Sequence, residues 1–198
     1  MPEGSSDGTE SASAEPACEV DGLTARCSAT VGGGGGEEAE EEVDFESLAY
    51  AAHAAFQLSS PEISMSPGAD TPVLVHVPVW MWISSSDWQE ETATASVPGG
   101  SVTVTATPAS VSWSMGDGTT VECDGPGTAY DPQVHDPAEP SPDCGHTYTF
   151  ASSSYELTAR MSWEVEWSSS DGDGGTLPAL ETETSMNVRV VESSGVVT

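Results

Sequence analysis

From Tyr155 to Trp167 every second residue is apolar. Leu157, Ala159, Met161, Trp163, Val165 and Trp167 share one face, while Thr158, Arg160, Ser162, Glu164 and Glu166 share the other. A period of two over this length describes a strand with one face in a core and the other in water. The surrounding sequence repeats the pattern. Val102, Val104 and Ala106 alternate with Thr103 and Thr105 after a Gly99-Gly100 turn, and Met186, Val188 and Val190 alternate near the end. Asp171 to Gly175 has the composition of a hairpin loop, and the apolar run from Pro72 to Ile83 contains Pro78, which suits an edge or bulged strand. Seven or eight short strands with regular turn signals predict a mainly β chain, an antiparallel β-sandwich.

Two segments precede the strands. Residues 1–42 are rich in Gly, Ser and Glu and poor in apolar side chains, which predicts a disordered acidic segment. One short clip interrupts it, CEVDGLTARC, with Asp21-Gly22 at its turn. Within 43–60, Phe45, Leu48, Ala52, Ala55 and Phe56 recur at helical spacing, Asp44 can cap the start and Pro61 blocks continuation. One amphipathic helix is expected there, with His53 among Glu46, Tyr50 and Gln57 on its other face, as a solvated or packing residue.

Charge excludes several functions. The chain has 33 Asp and Glu against Arg26, Arg160 and Arg189, with no lysine, for a formal net charge of −30. Phosphate backbones and anionic headgroups are bound by neutralising them, so nucleic acid and direct membrane insertion are poor expectations. Without lysine there is no P-loop and no Schiff base. Such self-repulsion weakens in molar salt, at low pH or with divalent cations, and a salty habitat fits the absence of lysine.

Cys18, Cys27, Cys123 and Cys144 fall into two local pairs, which suits bridges 18–27 and 123–144, although four cysteines allow three pairings. Zinc competes, but neither pair has CxxC spacing. Disulfides imply an oxidising compartment, hence an extracellular or cell-surface expectation, although no signal peptide is visible in residues 1–17.

Trp113, Gly116, Asp117 and Gly118 in VSWSMGDG, followed by His146-Thr147-Tyr148 and Tyr155, resemble the PKD signature of a WDFGDG strand, a later HTY and a YxVT strand. Ser114 and Met115 replace the usual Asp and Phe. The resemblance implies a PKD/Ig-like sandwich over 70–192 in which these are fold residues: a tight glycine turn, a tryptophan between sheets, and a His and Tyr whose hydrogen bonds lock the next strand. PKD domains normally lack the long insertion between Gly118 and His146, which the 123–144 bridge would close. More widely, residues 43–192 are similar to a group of uncharacterised actinobacterial exported proteins, some labelled ATP/GTP-binding. This chain gives that label no support, so the resemblance implies a location and no mechanism.

Chemistry beyond the fold is sparse. With so many acids, close carboxylate pairs for glycoside hydrolysis are uninformative, and there is no GxSxG elbow. Calcium is the cofactor the charge would suit. Its candidate ligands are Asp131, His135, Asp136 and Asp143 in the insertion, and Asp171 and Asp173 in a DGDGG stretch that lacks the closing Glu of an EF-hand. Trp80, Trp82 and Trp88 could stack on a sugar or simply be buried, and exposed aromatic area discriminates the two. The expectation is a non-catalytic interaction or structural module meeting a protein or glycan at the cell envelope, with residues 124–143 as contact surface. The alternative is a carbohydrate-binding accessory domain or weak glycoside hydrolase.

Overall fold

A computed structural model describes residues 43–192 and, before them, the backbone of two strands, β1 (Ala17–Asp21) and β2 (Thr24–Ser28). Backbone register places Cys18 opposite Cys27. The 18–27 bridge itself and the expected disorder of residues 1–42 lie outside the described residues.

Helix α1 (Phe45–Ala55) begins where Asp44 accepts hydrogen bonds from the Ser47 N–H and hydroxyl, at 3.1 and 2.6 Å. The strands that follow are β3 (Ile63–Ser66), β4 (Val73–Leu74), β5 (Pro78–Ile83), β6 (Glu91–Val97), β7 (Gly100–Ser114), β8 (Thr120–Cys123), β9 (Gly145–Thr147), β10 (Ser152–Ser169) and β11 (Gly174–Val191). They form two sheets. The larger has the order β1-β2-β6-β7-β10-β11-β4, with β8 pairing the far half of β7; the smaller is β3-β5-β9. The chain is thus mainly β with packed sheets, and the larger sheet curls into a half-barrel.

One core joins the layers. Val102, Val104, Trp113, Leu157, Met161 and Trp163 come from the large sheet, Val79, Met81 and Ile83 from the small one, and Leu48, Ala49 and Ala52 from α1. The inward set on β10 is the one its alternation predicts, except that Trp167 at the strand's far end is only half-buried.

The curl has a local cause at Trp163. On one side Ser162 pairs Ser110 while Trp163 pairs Pro108, leaving Ala109 of β7 without an opposite number. On the other, Trp163 pairs Leu180 while Val165 pairs Leu177, which inserts an extra residue into β11. Two bulges at one level bend neighbouring strands together. The first also switches the buried residues of β7 from even (Val102, Val104, Ala106) to odd (Val111, Trp113) positions. Pro108 is tolerated because β7 pairs β6 only as far as Ala106 and pairs β8 only from Val111 onward, so the proline sits between the two ladders. The bulge in β11 frees the Pro178 carbonyl, which accepts a hydrogen bond from His53 Nε2–H at 2.8 Å. His53 therefore fastens α1 to the bend.

The run from Pro72 to Ile83 is two strands in different sheets, which corrects the expectation of one. β4 pairs the end of β11, and β5 is the middle strand of the small sheet with Pro78 as its first residue. Between them His76 adopts φ 64° and donates its N–H to the Tyr148 carbonyl at 2.9 Å. Val73 of β4 and Val79, Met81 and Ile83 of β5 are buried in the same core, so the apolar residues of the two strands run together in the sequence.

Candidate functional site

The residues that carry the PKD resemblance converge. Gly116 and Gly118 hold φ 76° and 92°, and a Cβ on Gly116 would stand 2.7 Å from the Glu156 backbone. Asp117 accepts hydrogen bonds from Thr119 N–H at 2.9 Å and His146 Nε2–H at 2.8 Å. Tyr148 donates its hydroxyl to the Met115 carbonyl at 3.1 Å and stacks on Tyr155 with ring centres 5.1 Å apart. Burial works against ionisation of Asp117, but the bonds from Thr119 and His146 outweigh it and hold the carboxyl below its usual range. Burial, then the charges of Asp117 and Tyr155, pushes the Tyr148 phenol up. Trp113 is wholly buried between the layers. These hydrogen bonds tie the 115–119 turn to itself and to His146 and Tyr148, and the Tyr148 carbonyl in turn accepts the His76 N–H.

The insertion is built differently. Cys123 and Cys144 are disulfide-bonded with Cα atoms 5.9 Å apart across a sequence separation of 21. Inside the bridge the loop continues the small sheet, since Ile83 N–H donates to the Pro126 carbonyl at 2.7 Å and Met81 N–H to the Cys144 carbonyl at 3.0 Å. Gly127, at φ 87°, lies where a Cβ would be 2.4 Å from the Met81 oxygen. No other residue fits this approach.

On β5, Val79, Met81 and Ile83 face the core, so Trp80 and Trp82 face the opposite way. The loop folds back over Trp80. Tyr130 meets its ring edge-on at 5.3 Å, His135 lies at 4.6 Å, and the indole N–H donates to the Glu139 carbonyl at 2.8 Å. Trp80 is left 3 % exposed, whereas Trp82 and Trp88 are half-buried. Neither Tyr130 nor Glu139 carries a sequence signal for this role, because the packing of a loop on a distant strand leaves no period. Val134, at the tip, is 74 % exposed, and Phe150, beyond β9, is 75 % exposed.

Each candidate metal ligand makes hydrogen bonds within its own loop or turn. Asp131 accepts from Gln133 N–H at 2.8 Å, and Asp136 from Ala138 N–H at 2.9 Å. His135 Nδ1 accepts from Asp131 N–H at 3.0 Å, which places its proton on Nε2. Asp143 receives Thr128 N–H and hydroxyl, Ser141 hydroxyl and Cys144 N–H; burial opposes its charge, but these donors keep its carboxyl below the usual range. Asp171 is bonded by Ser169 and, with Asp173, forms the turn between β10 and β11. Among the described residues no three His, Cys, Asp or Glu side chains converge on one point. Among the described residues no helix is long and apolar enough to cross a membrane.

Comparison of the chain with protein-family models, with curated proteins and with solved structures finds no match in any of the three.

Proposed function

We propose that the chain is a non-catalytic, PKD-like interaction module of the cell surface or extracellular space, with the disulfide-closed loop 124–143 as its contact surface for a protein partner. The observation that carries the reading is the way this loop is held. It is tied at its base by the bridge and two backbone hydrogen bonds, clamped over Trp80 at its middle, and still presents Val134 to solvent. A surface fixed before binding loses less entropy when a partner docks. The disulfide supports an oxidising compartment, and the hydrogen bonds of Asp117, His146 and Tyr148 support the PKD resemblance by giving its matched residues a common purpose.

The alternative, a glycan-binding domain, rests on half-buried Trp82 beside covered Trp80. The test is binding of the full chain to envelope fractions and to a glycan array. Replacing residues 125–142 by a short Gly-Ser loop, and separately Val134→Asp, is expected to abolish binding to envelope protein while Trp82→Ala leaves it intact. Specific glycan binding lost in Trp82→Ala and kept in Val134→Asp would replace this reading by the alternative.

A further inference from the structure

The loop contains two Asp–Pro peptide bonds, Asp131–Pro132 and Asp136–Pro137. Such a bond is chemically the weak point of a polypeptide. The proline nitrogen is more basic than an ordinary amide nitrogen, and the aspartate carboxylate reaches its own carbonyl carbon through a five-membered ring, an intramolecular attack. In both places the carboxylate is folded over the following peptide by a bond from the residue two positions on, Gln133 N–H at 2.8 Å and Ala138 N–H at 2.9 Å.

The two bonds differ at the carbonyl. The Asp131 oxygen accepts two backbone donors, Val134 N–H at 3.1 Å and His135 N–H at 2.8 Å, whereas the Asp136 oxygen accepts Glu139 N–H at 3.1 Å. His135 Nδ1 also accepts the Asp131 N–H at 3.0 Å, fixing that residue from its other side. Donors already aimed at the oxygen where charge develops stabilise a tetrahedral intermediate without reorganisation. Asp131 is exposed, so water and solvent protons reach it.

We propose that the Asp131–Pro132 bond is a self-cleavage site. The Asp131 carboxylate adds to its own carbonyl carbon, the C–N bond to Pro132 breaks, and the proline nitrogen takes a proton from solvent. The resulting cyclic anhydride is opened by water, leaving Asp131 as a carboxy terminus and Pro132 as a secondary ammonium. No electrons are exchanged. The cut falls between Tyr130 and His135, the two rings over Trp80, and inside the Cys123–Cys144 bridge. The products stay joined while the cover over Trp80 is divided.

The second Asp–Pro bond is an internal control. The full chain is held in mildly acidic buffer, folded and in concentrated urea, and the fragments are quantified by mass after reduction. Cleavage after Asp131 is expected to outpace cleavage after Asp136 by about 100-fold in the folded chain, the scale on which one preorganised carbonyl donor acts. In urea the two rates converge. Pro132→Ala removes the cut, and the fragments separate only when the disulfide is reduced. Equal rates in the folded chain, a preference that survives urea, or a folded chain that stays intact would each overturn the proposal.

Discussion

Asp117 takes hydrogen bonds from Thr119 in its own turn and from His146 across the insertion, so one carboxylate joins two distant parts of the chain. Asp117→Asn keeps the shape and loses the charge, and should cost about 1.5–3 kcal/mol, the range for hydrogen bonds to a charged group. The pH dependence fixes the sign. The folded carboxyl ionises below its unfolded value near 4, so its contribution is full above about pH 4 and disappears as pH falls through the folded value. The stability difference between wild type and variant, followed by urea unfolding across pH, should therefore be largest above about pH 4 and shrink below it. His76 makes the opposite prediction. At φ 64° it occupies a conformation that suits glycine, and its backbone N–H, not its side chain, holds Tyr148. His76→Gly should be neutral or stabilise by up to about 1 kcal/mol in thermal melting, because left-handed strain of about 1–2 kcal/mol is relieved against the added freedom of glycine in the unfolded chain.

Elements were legible where one face meets the core and the other meets water. β10 satisfies that condition along most of its length, and its pattern names Trp163 as a central core residue, fully buried in the sheet. β11 satisfies it only near its end. Gly174, Gly175 and Pro178 interrupt its first half, and Thr182 and Thr184 stand where apolar residues would mark the inner face, so Met186 to Val190 alone showed the alternation. The bulges and the change of sheet at His76 left no trace because the sequence gives no sign of which strands become neighbours. The insertion shows the same limit. Its cysteines and turn residues were visible, while its seat on Trp80 depends on a non-local meeting. The bridge itself supports a quantitative expectation. Closing a loop of 21 residues restricts the unfolded chain by about 3 kcal/mol in the chain-entropy model. Replacing Cys123 and Cys144 together by alanine should lower the urea midpoint accordingly, and the summed tryptophan emission of the native state should shift red as Tyr130 and His135 loosen over Trp80. A midpoint that falls without any change in emission would mean that the backbone bonds of Pro126 and Cys144 hold the cover unaided.

Across the whole molecule the charge imbalance opposes the compact state more than any ion pair supports it. Arg160 lies 3.1 Å from Glu183 and 3.8 Å from Glu181, but all three side chains are more than half exposed, and pairs of that kind contribute about 0–1 kcal/mol. On the outer face of the same hairpin Glu156, Glu164 and Glu166 add like charge to Glu181 and Glu183, within a chain of net charge −30. Salt weakens attraction and repulsion alike, so its net effect follows the more numerous kind, which here is repulsion. Raising ionic strength from about 0.1 M to 1 M shortens the Debye length from about 10 Å to 3 Å. The melting temperature should therefore climb with sodium chloride, by about 2–4 °C for each kcal/mol of repulsion removed in a chain of this size. Calcium separates general screening from a specific site. If its ions act as counter-charge alone, changing Asp131, Asp136 and Asp143 together to Asn leaves the calcium-induced rise in place. If they occupy the insertion, that rise is lost while the sodium chloride rise remains. A melting temperature flat in both salts would show that the acids lie too far apart, on too curved a sheet, for their repulsion to matter.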